Sequence, residues 1–237
     1  METVPLLLLP GLLEDADAFE ATLEALRGAN SCMVADLTRG ETIAELAAQA
    51  LAEAPEGKLA VLGHSMGGYV ALEILRQAPE RVARLALANT HARPDTSEAT
   101  QNRKRLMELA ERDFPAVIQA LIPKLMTPKH LADAQLPGKI TGMALAVGKE
   151  AFARQERAIM GRIDSRPHLA AISCPTLVIA AAEDQLMPVD LLRELADGIP
   201  GARLETIAQS GHMSSIEQPE EFTRLVQEWL GVPPPQR

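Results

Sequence analysis

The stretch Leu59-Ala60-Val61-Leu62-Gly63-His64-Ser65-Met66-Gly67-Gly68-Tyr69 limits the possible folds of this chain more than any other. Its first four residues are continuously apolar, as in a strand buried on both faces, and Met66 to Gln77 continue with helical periodicity. Gly-x-Ser-x-Gly between them leaves no room for an ordinary loop, so the strand must turn sharply into the helix with Ser65 at the bend. A bend that tight strains the serine backbone. Gly63 and Gly67, lacking side chains, let strand and helix approach closely enough to hold it. Burial on both faces implies a parallel sheet covered by helices above and below.

The rest of the chain repeats the alternation. Strands are expected at Val4 to Leu9, Cys32 to Ala35, Leu59 to Leu62 and Val82 to Ala88, with helices near Ala18 to Leu26, Thr42 to Ala52 and Met66 to Gln77. Pro79 ends the third helix. From His91 to about Cys174 the strand signal vanishes. That interval reads as short helices broken at Pro115, Pro123, Pro128, Pro137 and Gly142 and enriched in Met and Phe. A strand follows at Pro175 to Ala180, then a helix from Val189 to Ala196 and a last strand at Arg203 to Ile207, whose polar and apolar alternation places it at the sheet edge. A closing helix begins at Pro219. The expected division is an α/β core over 1–90 and 172–237 interrupted by a helical insertion over 91–171.

Composition narrows the function classes. An apolar fraction of 47% and a charged fraction of 23% are ordinary for a compact domain, and 237 residues suffice for one with an insertion. With 32 acidic against 23 basic residues the net charge of -9 repels phosphate backbones and anionic lipid, so neither nucleic acid nor a membrane surface is the expected partner. Cys32 and Cys174 are too few for a disulfide framework or a thiolate zinc site, which makes a cytoplasmic location the expectation and leaves no metal site to propose. The apolar start at Val4 to Pro10 lacks a preceding basic residue and meets Glu14, Asp15 and Asp17 at once, so it reads as a strand rather than a signal peptide.

Ser65 carries a weak nucleophile unless an imidazole takes its proton, and that imidazole needs a carboxylate to fix its tautomer. Both should stand at the carboxyl ends of later parallel strands. Asp184 follows the strand ending near Ala181, and His212 follows the last strand. Among competitors, Glu183 starts on the other side of the chain, Asp36 precedes the serine and suits a turn, and His64 should point away from Ser65 to pack or hydrogen-bond. His91, His130 and His168 lie in or beside the insertion, where surface or substrate contacts suit them better. Backbone amides fixed in advance should hold the oxyanion of a tetrahedral intermediate, and those of Met66 and Leu12 are the candidates.

With these residues in place the chain resembles the α/β-hydrolase superfamily over nearly its whole length, in particular its small esterase-like members with a helical cap. Gly63 to Gly68 is similar to the family's nucleophile elbow, Glu183 to Pro188 to its acid loop, and Ser210-Gly211-His212 with Glu217-Gln218-Pro219 to its histidine loop. The resemblance implies a doubly wound sheet of about six parallel strands, since two leading strands of many relatives have no counterpart. It also implies that the insertion covers the site. Pro10 stands where many relatives carry a histidine. The implied activity is cofactor-free and metal-free hydrolysis of a small, mainly apolar ester or thioester by a monomer or small homo-oligomer. A C-C bond hydrolase or lyase, or a ligand receptor with a slow triad, are the alternatives within the same scaffold.

Overall fold

The computed structural model describes residues 4–133 and 135–232. Six strands, β1 (Leu6–Leu9), β2 (Cys32–Val34), β3 (Leu59–His64), β4 (Val82–Ala88), β5 (Thr176–Ala181) and β6 (Arg203–Ile207), form one sheet in the order β2-β1-β3-β4-β5-β6. Every neighbouring pair is parallel. The expected all-parallel sheet of six strands is therefore present, and β6 lies at its edge.

Alternate side chains of the central strands enter two separate cores, as a period of two requires. Leu7, Leu9, Val61, Leu85, Leu87 and Val178 meet α2 (Ile43–Glu53), α3 (Met66–Gln77) and α9 (Val189–Gly198) on one face. Leu6, Leu8, Leu62, Ala86, Leu177 and Ile179 meet α1 (Glu20–Leu26) and α11 (Pro219–Leu230) on the other, where Phe19 and Phe222 are fully buried. Each fully buried Leu contributes roughly 1.5–3 kcal/mol relative to exposure. Local signals set the helix starts. Thr42 accepts from Glu45 N–H while the Glu45 side chain caps the Thr42 amide, which fixes the first turn of α2.

Between β4 and β5 run α4 (Ser97–Ala110), α5 (Phe114–Leu125), α6 (Pro128–Leu131), α7 (Gln135–Val147) and α8 (Lys149–Met160). Two expected breaks are absent. Pro123 lies inside α5, near its end, where its missing N–H costs a single backbone bond. Gly142 lies inside α7, which is held by the burial of Ile140, Met143 and Ala144. Pro115, Pro128 and Pro137 instead fall in the first turns of helices, the positions where proline is tolerated best. Val117, Ile118 and Phe152 of this segment form a small core with Leu13 from the loop after β1, while Ala158 and Ile159 of α8 join one main core and Met126, Ile140 and Met143 the other. These five helices are thus packed onto the α/β layers rather than standing apart from them.

Candidate functional site

Three strand ends converge at the carboxyl edge of the sheet. At the end of β3, Ser65 takes φ 52° and ψ -116°, a left-handed conformation rarely adopted by serine. Its neighbours explain why the chain holds it. A Cβ on Gly63 would come within 2.3 Å of the Gly67 carbonyl oxygen, and one on Gly67 would lie 1.9 Å from that of Leu9, so any larger residue would push strand and helix apart. Thr90 Oγ1 donates to the Ser65 carbonyl at 2.8 Å and fixes the bend from the end of β4.

The Ser65 hydroxyl lies 2.8 Å from His212 Nε2, and His212 Nδ1 lies 2.8 Å from Asp184 Oδ2. Asp184 is further held by Asn89 Nδ2 at 2.9 Å and by the amides of Leu186 and Met187 at 2.8 and 2.9 Å. Burial alone would push its carboxyl up, but His212 and these donors outweigh that and hold it well below the usual range. An ionised Asp184 fixes the proton on His212 Nδ1, leaving Nε2 as the acceptor for the serine hydroxyl. Glu183 is exposed and donates its amide to the Ser210 carbonyl, without reaching His212. Asp36 caps a turn through Thr38 N–H at 2.9 Å.

Two buried glutamates pin the loops on either side of this line. Glu14 Oε2 accepts from Gly11 N–H at 2.7 Å, and its carboxylate also lies 2.9 Å from His64 Nδ1. His64 is fully buried, and its Nε2 donates to the His212 carbonyl at 2.9 Å. Burial would lower the His64 pKa, but the Glu14 carboxylate and the His212 carbonyl raise it overall. Glu217 plays the matching part for the histidine loop, accepting from Gly211 N–H at 2.7 Å, from Thr127 N–H at 2.8 Å and from His130 Nδ1 at 2.8 Å.

Sequence reasoning did not single out Asn89 or Glu14, and it named Glu217 only as part of the motif that resembles the histidine loop. Asn89 stands one residue beyond β4 with φ 48°, a backbone that asparagine tolerates better than most residues, and its position at a strand end was the available signal. A carboxylate three residues after Gly11 looks like any polar loop residue until the fold brings His64 against it.

The Leu12 and Met66 amides find no acceptor among the described residues, although Met66 is almost fully buried. Buried N–H groups are rarely left unpaired, so both stand open to a ligand. They border a cavity of about 410 Å³ that also takes in Ser65 and His212 and is lined largely by apolar side chains, among them Leu106, Ile118, Leu121 and Met143. That volume suits a small molecule. No helix among the described residues is long and apolar enough to cross a membrane.

Comparison with known proteins agrees with the geometry. The α/β hydrolase fold family matches residues 4–219. A Klebsiella pneumoniae protein provisionally named carbamate hydrolase RutD is 30% identical over 205 residues, covering 83% of this chain and 76% of its own. The 3-oxoadipate enol-lactonase 2 of Acinetobacter baylyi is 30% identical over 166 residues, covering 70% of this chain and 61% of its own. Among solved structures, a thermophilic esterase from Thermogutta terrifontis superposes with a TM-score of 0.88 at 31% identity, over 96% of this chain and 89% of that one. Six parallel strands, a serine at the β3 bend and a match running from the first described residue into α11 lead to one conclusion: the chain belongs to the α/β hydrolase fold family.

Proposed function

We propose that the protein is a serine hydrolase that cleaves a small, mainly apolar carboxylic ester or thioester through an acyl-enzyme intermediate. The observation that carries this reading is the unbroken line of two 2.8 Å hydrogen bonds from Ser65 through His212 to Asp184. The Ser65 oxygen attacks the substrate carbonyl carbon while its proton passes to His212 Nε2. Asp184 holds the imidazole in orientation and stabilises its charge. The negative oxygen that develops is received by the Leu12 and Met66 amides, which are fixed before the charge appears. When the tetrahedral species collapses, the bond to the leaving alcohol or thiol breaks and that group takes the proton from His212. A water deprotonated by the same nitrogen then attacks the acyl-serine, releasing the acid and restoring the hydroxyl.

The segment 91–171 acts as the cap in this reading, since it supplies more than half of the apolar lining, chiefly from α4, α5 and α7. The named relatives act, by their names, on carbamates, an enol-lactone and esters. In each the bond broken joins a carbonyl carbon to a heteroatom, so the serine chemistry is common to them. A metal or redox cofactor has no part in these steps.

Ser65→Ala should abolish turnover of short-chain nitrophenyl esters and block labelling by a fluorophosphonate. Retention of the parent rate by that variant would eliminate the assignment.

A further inference from the structure

The same cavity has a polar end that the ester chemistry does not use. Tyr69, Arg103, Asp95, Glu156, Arg162 and His91 all border it. Arg103 Nη1 lies 2.7 Å from Glu156 Oε2, and Arg162 Nη1 lies 2.8 Å from Asp95 Oδ1, with both carboxylates sealed from solvent. Arg162 also donates through Nε and Nη1 to the Arg93 and Ile159 carbonyls, and its side chain is only 6% exposed, which keeps its remaining Nη2 edge away from the open cavity. Arg103 is more open. Its Nη2 has no acceptor among the described residues, its side chain is 20% exposed, and it borders the cavity.

The proton arrangement around Tyr69 adds a second free donor. Arg93 N–H donates to His91 Nδ1 at 3.0 Å, so that nitrogen is unprotonated and Nε2 bears the hydrogen. Nε2 lies 3.3 Å from the Tyr69 oxygen, which therefore accepts, and the phenol's own hydrogen is left to bond elsewhere. Burial and the neighbouring Arg162, Arg93 and Arg103 press the His91 pKa down to about 4, so this arrangement persists at neutral pH. The Arg162 guanidinium stacks 4.5 Å over the Tyr69 ring and holds it in place.

Taking Ser65 as the acyl acceptor, we infer that the Tyr69 hydroxyl and the free edge of Arg103 bind a carboxylate carried by the substrate in addition to the bond cleaved. The preferred substrate class is then an ester or lactone of a dicarboxylic acid with an apolar middle. Donors are free at this end, whereas the only unpartnered acceptor in the cluster, Glu156 Oε1, is sealed off. Burial raises the Glu156 carboxyl pKa despite the adjacent Arg103, which weakens the charge opposing an arriving anion. A charge-assisted, two-donor grip on a carboxylate is among the stronger hydrogen-bonding arrangements available.

The test compares mono-nitrophenyl esters of adipic to sebacic acid with their methyl-capped counterparts. At one chain length the parent should favour the free half-acid in kcat/KM by at least ten-fold. Arg103→Met and, separately, Tyr69→Phe should each lower that preference, the first to near unity and the second by several-fold through KM. Tyr69→Phe removes only a hydroxyl, so it keeps the test open if Arg103→Met fails to fold. No preference at any length, or a Tyr69→Phe protein with the parent's preference, would overturn the inference. Calorimetric binding of the free diacids to Ser65→Ala, lost on adding Tyr69→Phe or Arg103→Met, supports the subsite even if the hydrolytic assignment fails. Absence of diacid binding to Ser65→Ala would count against the subsite itself.

Discussion

Two histidine and carboxylate pairs lie side by side in the core, their rings 5.2 Å apart: His212 with Asp184, and His64 with Glu14. Both are buried, and the closest nitrogen-to-oxygen distances are 2.8 and 2.9 Å. What separates them is the group at the other ring nitrogen. His212 Nε2 faces a hydroxyl, which can give up a proton. His64 Nε2 faces the His212 backbone carbonyl, which only accepts, so that nitrogen must keep its hydrogen and cannot act as a base. The carboxylates differ in the same way. Asp184 is satisfied by two amides and Asn89 besides its histidine, whereas Glu14 ties its histidine to the Gly11 amide in the loop after β1. A buried histidine paired with a carboxylate is therefore no mark of catalysis; the partner of its far nitrogen decides whether it moves a proton or holds a backbone.

The largest expected effect comes from breaking the first pair. Asp184→Asn keeps the shape but removes the charge that fixes the His212 tautomer, and kcat for a nitrophenyl ester should fall roughly 10⁴-fold with little change in far-ultraviolet circular dichroism. The mirror change in the second pair should act on stability instead. Glu14→Ala leaves His64 buried without its partner and Gly11 N–H without an acceptor, at a cost of roughly 3–5 kcal/mol in urea unfolding. Should Glu14→Ala unfold at the parent midpoint, the structural role given to His64 would be wrong.

The difference between the pairs also shows what could be read from the sequence. Strand-helix alternation placed β4, α3 and β6 at their observed bounds, because continuous burial and helical period are local properties of the chain. Ser65, Asp184 and His212 were readable for a related reason: each ends or follows a parallel strand, and in such a sheet strand ends share one edge. Glu14, Asn89 and the Arg103 cluster were not, since their partners are distant in sequence and only the folded contacts give them meaning. Pro123 and Gly142 were misread as breaks because residue type alone sets their local penalty, while the burial of α5 and α7 outweighs it.

The smallest effect sharpens the comparison most, because it tests the protonation state of His64 directly. Glu14→Gln can still accept from Gly11 N–H and offer an amide hydrogen to His64 Nδ1, so a neutral His64 remains bonded and only the charge interaction is lost. The cost should be about 1 kcal/mol, the difference between charged and neutral hydrogen bonds, or roughly 2–4 °C in Tm for a chain of this size. The folded-state pKa of His64 is raised above the unfolded value of about 6.5, so protonated His64 adds stability that is fully present below that pH and disappears as pH rises through the folded value. Removing Glu14's charge removes that contribution. The Tm difference between parent and Glu14→Gln should therefore be widest near pH 6 and narrow steadily on the alkaline side. A gap that stayed constant, or widened with rising pH, would mean that His64 is neutral in the fold and that the Glu14 carboxylate does no more than anchor the Gly11 amide.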